Sequence, residues 1–154
     1  VYVAVGGPEV GKKLLTLKWD YIFFTGGVEV GKIVAQAAAK NLTPITLELG
    51  GKNPCIVDET ANISVSARRI VWGKFMNCGQ ICMAPDYLLL NNKIYDKFIE
   101  QLKIEIIKMF GKNPIKSNDY GRIIHKNHLD KMKKLIEGQN VIYGGKFKDS
   151  QLYF

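Results

Sequence analysis

The sequence predicts an α/β protein, a partial doubly wound parallel sheet followed by the first part of a second α/β unit. Two observations carry this expectation. Short continuous apolar runs, of the kind buried on both faces of a parallel sheet, alternate with amphipathic helical patterns. Glycine-rich turns close these runs at Gly6-Gly7, Gly26-Gly27 and Gly50-Gly51. The 154 residues, 47% hydrophobic and 23% charged, are enough for one ordinary soluble core.

Taken in order, residues 1–5 read as a buried strand broken by Gly6-Gly7-Pro8, and residues 9–17 as a short helix. Residues 21–24 are a second strand, closed by Thr25-Gly26-Gly27. Residues 28–41 are helical, with Val30, Ile33, Val34 and Ala37 on one face and an alanine run that favours the helix. Pro44 stops it, and residues 45–49 form a third strand. The resulting βαβαβ order implies parallel strands joined by right-handed crossovers.

Beyond Gly51, residues 54–57 are a short strand and Asp58 opens a turn. Ser64 is the candidate cap of a helix running to about Met76, residues 77–85 are a loop, and residues 87–90 a strand. Residues 94–110 form a long helix with Phe98, Leu102, Ile106 and Phe110 inward, ended by Gly111. A helix over residues 127–137 and a strand over residues 141–143 complete the reading.

The net charge of +8 invites a nucleic-acid reading. Yet Lys93, Lys97, Lys103, Lys108 and Lys112 are interleaved with Glu100 and Glu105 through an amphipathic pattern, which is a solvated helix face. Arginine is scarce and no aromatic platform accompanies the lysines, so no nucleic-acid partner is expected. Cys55, Cys78 and Cys82 are too few and odd in number for a disulfide framework; a reducing, cytoplasmic setting is expected. No apolar run approaches the roughly 20 residues of a membrane span. The chain opens on Val1 with no Met or basic leader and stops on an apolar run, so it reads as an internal stretch of a longer protein.

Three features bear on chemistry. Gly26 to Lys32 nearly matches a P-loop, but Ile33 replaces the magnesium-ligating Ser or Thr. A glycine turn between strand and helix still offers free N–H groups to an anion such as a dinucleotide pyrophosphate; a purely structural turn is the alternative. Cys82 lies in a polar, glycine-containing loop with Asn77, Gly79 and Gln80. Burial is the commonest fate of a free cysteine, but such a loop surrounds a thiolate with backbone N–H groups. Glu48 interrupts an apolar strand at its C-terminal end, where α/β sheets bind ligands, or else it simply reaches solvent there. Cys-x3-Cys and the distant His125 and His128 are a poor match to a zinc site, and no metal is expected.

These residues resemble the aldehyde dehydrogenase superfamily. The resemblance rests on Phe24-Thr25-Gly26 with Gly31-Lys32, on Leu47-Glu48-Leu49-Gly50-Gly51-Lys52-Asn53-Pro54, on Asn77-Cys78-Gly79-Gln80-Ile81-Cys82, and on the separation of Glu48 from Cys82. Cys82-Met83-Ala84-Pro85-Asp86-Tyr87 and Trp72-Gly73-Lys74-Phe75 are similar to the class 3 and fatty aldehyde dehydrogenase branch. The resemblance implies that residues 1–48 are the C-terminal part of a Rossmann-like NAD(P)-binding domain, and residues 49–154 the N-terminal part of the catalytic domain. It implies Cys82 as nucleophile, Glu48 as general base, and NAD or NADP held along Thr25, Gly26, Gly27, Val28, Glu29, Val30, Gly31 and Leu49. Gly27 stands where many relatives carry Ser or Asn. The family's upstream oxyanion Asn, its first strands, its downstream ribose and nicotinamide contacts and its oligomerisation segment fall outside these residues.

The activity implied is oxidation of a small-molecule aldehyde to a carboxylic acid through a thiohemiacetal and a thioester. Glu48 favours hydrolysis over transfer to coenzyme A, and burial beside Leu47 and Leu49 is expected to raise its pKa. A homodimer is implied for the complete protein, with a membrane tail beyond Phe154 left open. The alternative is an inactive fragment or pseudoenzyme serving as a binding or structural module. The 154 residues alone are expected to be inactive and to fold poorly, with uncovered apolar strand faces.

Overall fold

The computed structural model describes all residues from Val1 to Phe154. They form two compact units, Val1–Gly50 and Gly51–Phe154. Each is built on a two-stranded parallel sheet whose strands are joined by a helix, so the α/β expectation holds in both. No helix is long and apolar enough to cross a membrane.

In the first unit, helix α1 (Pro8–Leu14) starts on a proline, which suits a position whose N–H has no helical partner. Strand β1 (Ile22–Thr25) leads through Gly26-Gly27 into helix α2 (Val28–Ala39), which buries Gly31, Val34 and Ala38. Leu42 turns left-handed (φ 53°) and the Thr43 N–H bonds back to the Ala38 carbonyl at 3.0 Å, ending the helix before Pro44. Strand β2 (Ile45–Glu48) then lies parallel to β1, with Ile22 opposite Ile45 and Thr25 opposite Glu48. Residues 1–5 are fully exposed and not a strand, so the expected βαβαβ unit is a βαβ unit preceded by a helix. An apolar run becomes a strand only when a neighbour takes its backbone hydrogen bonds, and none lies beside these residues.

In the second unit, β3 (Asn53–Val57) pairs in parallel with β4 (Pro85–Leu90), and helix α3 (Ile63–Phe75) joins them. Helix α4 (Tyr95–Phe110) covers the sheet and helix α3. Val57, Ala67 and Phe98 form the core, with Cys55, Ile70, Leu88 and Leu102 packed around them. Gly111 (φ 77°) ends α4 as expected, its N–H bonding the Ile107 carbonyl at 2.8 Å. Helix α5 (Lys126–Ile136) anchors through the fully buried Leu129. Phe75, Phe110, Tyr120 and Tyr153 make a chain of ring contacts 5.1–6.0 Å apart.

Three further expectations are corrected here. Residues 141–143 are not a strand; no partner strand runs beside them. The cap of α3 is Asn62, whose side chain accepts the Val65 N–H at 3.1 Å, while Ser64 lies inside the helix and donates its hydroxyl to Asn62. Both residue types cap well, and the one with extended backbone takes the role. On α4, Lys103 and Lys108 do pair with Glu100 and Glu105, but Glu105 is buried and also accepts from Gln101 at 2.8 Å.

Asn62→Ala should therefore cost about 1 kcal/mol of unfolding free energy in a urea titration, and Ser64→Ala only a few tenths. Equal losses would put the cap elsewhere.

Candidate active site

The segment carrying Cys82 runs between the end of α3 and the start of β4. It begins with an unusual backbone: Asn77 (φ 49°, ψ 36°), Cys78 (φ 57°, ψ 34°) and Gly79 (φ 76°) are successive left-handed residues. Only the glycine adopts this without penalty; each of the other two costs about 1 kcal/mol or more. Hydrogen bonds hold the turn. The Asn77 carboxamide donates to the Gln80 carbonyl at 3.2 Å. Gln80 Nε2 donates to the Asn77 carbonyl at 3.0 Å and the Arg122 carbonyl at 2.9 Å, and Gln80 Oε1 accepts the Ile124 N–H at 3.1 Å. The turn is thereby fastened to a segment more than forty residues further along the chain.

Cys78 faces inward. A methyl group on Gly121 would lie 3.2 Å from the Cys78 Cβ, so a side chain there would crowd it. Burial pushes the Cys78 thiol up, opposed by the neighbouring Tyr120 hydroxyl and by the Arg122 charge. Burial also pushes the Tyr120 phenol up, reinforced by Cys78. The Tyr120 hydroxyl donates to the Phe154 carbonyl at 2.9 Å.

Cys82 is exposed. It occupies a turn in which the Ala84 N–H donates to the Ile81 carbonyl at 3.1 Å. Asn53, at the start of β3, donates through Nδ2 to the Cys82 carbonyl at 2.7 Å and the Ala84 carbonyl at 3.1 Å. Cys82 thus sits in a loop, as its neighbours in sequence imply, with the main chain held on both sides of it.

Glu48 lies in the first unit, at the last position of β2, and its carbonyl accepts the Gly26 N–H at 3.0 Å. Its side chain is exposed, so the expected burial beside Leu47 and Leu49 is not found; at a strand end with glycines following, nothing in the unit covers it. The same parallel register sets Thr25 opposite Glu48. Thr25, Gly26, Gly27, Val28, Glu29 and Val30 are all exposed. Gly27 caps α2 with no side-chain bond, and the Gly31 N–H to Gly27 carbonyl bond (2.9 Å) is the first within the helix. The N–H groups of Val28, Glu29 and Val30 therefore have no helical partner. Gly31 is buried against Leu49, where a methyl group would sit 2.8 Å from a Leu49 carbon, so these two residues meet. Cysteines, histidines and carboxylates nowhere gather into a group of three that would hold a metal.

The anchors Asn53, Gln80 and Arg122 were not assigned a role from the sequence. The signal for Asn53 was its place directly after Gly50-Gly51-Lys52; Arg122 carried none.

The aldehyde dehydrogenase family model matches residues 1–154. The chain is 49% identical over 143 residues to aldehyde dehydrogenase, dimeric NADP-preferring, of Canis lupus familiaris, covering 93% of this chain and 32% of that protein. It is 46% identical over 148 residues to aldehyde dehydrogenase family 3 member A2 of Rattus norvegicus, covering 96% and 31%. The substrate-bound state of Staphylococcus aureus AldH superposes with a TM-score of 0.88 at 45% identity, over 96% of this chain and 33% of that one. The chain thus spans about a third of the length of the relatives it matches.

The two cysteines of the loop should separate by alkylation. In the folded protein, iodoacetamide should modify exposed Cys82 first at neutral pH. Cys78 should require a pH above the ordinary thiol pKa of about 8.5, because burial disfavours its thiolate. Peptide mass spectrometry reads both sites, and faster labelling of Cys78 would contradict the assignment of their environments.

Proposed function

This chain belongs to the aldehyde dehydrogenase family, and we propose that the complete protein oxidises aldehydes to carboxylic acids with NAD or NADP, using Cys82 as nucleophile and Glu48 as general base. The observation that carries this reading is the exposed Cys82 thiol on a loop whose flanking carbonyls are held by Asn53. A surface cysteine with no structural duty, on a fixed backbone, is what a nucleophile requires.

The residues present fit a dinucleotide. The free N–H groups of Val28, Glu29 and Val30 supply donors for a pyrophosphate, and nothing lies within 4 Å of where a Gly27 side chain would be. Glu29 is drawn to Lys32 at 3.1 Å, which offsets its charge beside an anion. Gly31 and Leu49 hold the helix on the strand end beneath this turn. One relative carries NADP in its name, which supports the nicotinamide assignment. We assign residues 1–48 to the end of the cofactor domain and 49–154 to the start of the catalytic domain.

The Cys82 thiolate attacks the aldehyde carbon, forming a carbon–sulfur bond and an oxyanion that the Cys82 N–H is placed to receive. When bound, the cofactor would supply the acceptor for the hydride carried on that carbon. The product on Cys82 is a thioester. Glu48 accepts a proton from water, the water oxygen adds to the thioester carbon, and the carbon–sulfur bond breaks to release the carboxylate and regenerate the thiol. Similarity to class 3 relatives favours medium- to long-chain or aromatic aldehydes, and the word "dimeric" in one relative's name favours a homodimer. The exposed Phe23, Ile33 and Ile56 favour the further reading that residues 1–154 alone turn over no aldehyde.

In the full-length protein, Cys82→Ser should lower kcat by on the order of 10³-fold or more, while Cys78→Ser keeps most activity. Glu48→Gln should retain a single burst of NAD(P)H and lose roughly 10²–10⁴-fold in steady turnover. Parent-like turnover in Cys82→Ser, or the loss of burst and turnover together in Glu48→Gln, would remove the corresponding residue from its role.

A further inference from the structure

We propose that Asn53 is a positioning residue for the covalent step, resting on the reading of Cys82 as nucleophile. Four carbonyls around Cys82, those of Gln80, Ile81, Cys82 and Ala84, are taken by donors. Gln80 accepts from the Asn77 carboxamide at 3.2 Å, Ile81 from the Ala84 N–H at 3.1 Å, and Cys82 and Ala84 from the two N–H bonds of Asn53 Nδ2 at 2.7 and 3.1 Å. Fixing the carbonyl planes before and after a residue fixes its φ and ψ, and with them the direction of its Cα–Cβ bond. Asn53, with the Ala84 N–H, therefore sets the direction of the Cα–Cβ bond that carries the Cys82 sulfur.

The same arrangement aims a second group. No peptide bond in the chain is cis. In a trans peptide the carbonyl and the following N–H point opposite ways. The Ile81 carbonyl is turned inward to the Ala84 N–H, so the Cys82 N–H is turned outward, away from the turn. Nucleophile and oxyanion donor are set together by one short network.

Asparagine suits the position because its carboxamide carries two N–H bonds on a short stem and meets two carbonyls at once. Aspartate has the same shape but no donor when ionised, and sets a carboxylate against two carbonyl oxygens. Gly51 completes the arrangement. A methyl group there would lie 3.0 Å from Asn53 Oδ1 and 3.1 Å from the Cys82 carbonyl oxygen, so the glycine leaves room for the bond between them.

The test uses the full-length protein with octanal and NAD or NADP, comparing the parent with Asn53→Asp and Gly51→Ala. Three quantities are read: the rate constant of the NAD(P)H burst, the cofactor Kd by calorimetry, and hydrogen exchange of the peptide spanning residues 81–84. Both variants should slow the burst on the order of tenfold to a hundredfold, the scale of an ångström's misplacement. They should leave cofactor Kd unchanged and speed exchange at residues 81–84. Should Asn53→Asp fail to fold, Gly51→Ala decides the matter, since it crowds the contact and leaves Asn53 in place. A parent-like burst in the folded variants, or a burst loss matched by lost cofactor affinity, overturns the proposal alone. A parent protein with no aldehyde-dependent NAD(P)H formation overturns the functional reading, and the proposal falls with it.

Discussion

Parallel pairing brings like ends of strands together, and the candidate site segments of both units follow from that constraint. In the first unit the shared ends are C-terminal: Thr25 faces Glu48, so the glycine turn after β1 and the carboxylate ending β2 are neighbours. In the second unit the shared ends are N-terminal: Asn53 faces Pro85, which lays the entry of β3 beside the loop that feeds β4. The bond from Asn53 to the Cys82 carbonyl is thus a consequence of register. Antiparallel pairing would carry the two strand starts to opposite ends of the sheet.

The loop between α3 and β4 stores strain and is held against it. Asn77 and Cys78 occupy a left-handed backbone that costs a few kcal/mol together. Hydrogen bonds from Asn77 and Gln80 contribute about 1 kcal/mol each and offset it. The turn sends Cys78 inward toward Tyr120 and Gly121 and leaves Cys82 outside. Two thiols four positions apart thereby acquire different chemistry: burial holds one as the neutral thiol, and the other is open to an electrophile.

The sequence made visible those elements whose signals are local. The glycine turn at Gly26-Gly27, the alanine run of α2, the four-residue apolar spacing of α4 and Gly111 all specify structure within a few residues, and these appear where expected. Residues 1–5 and 141–143 carry the same apolar signal as β1 but lack a partner, and pairing is not a local property. The choice of Asn62 over Ser64 as cap turns on one residue's backbone angles. Cys82, Glu48 and the glycine turn stood out by residue type and context. Their supports did not, because Asn53, Gln80 and Arg122 act across 29 to 44 positions of chain. The exposure of Glu48 was equally hidden, since burial depends on what covers a strand end rather than on the leucines beside it.

In the proposed mechanism the one exposed cysteine of the fixed loop forms the bond to substrate. The direct measurement is an acid quench of the full-length protein during turnover of octanal with NAD or NADP, followed by peptide mass spectrometry. An octanoyl group on the peptide at Cys82, and on no other, is the expected result. An octanoyl group on Cys55 or Cys78, or acyl-free cysteines during sustained turnover, would contradict it.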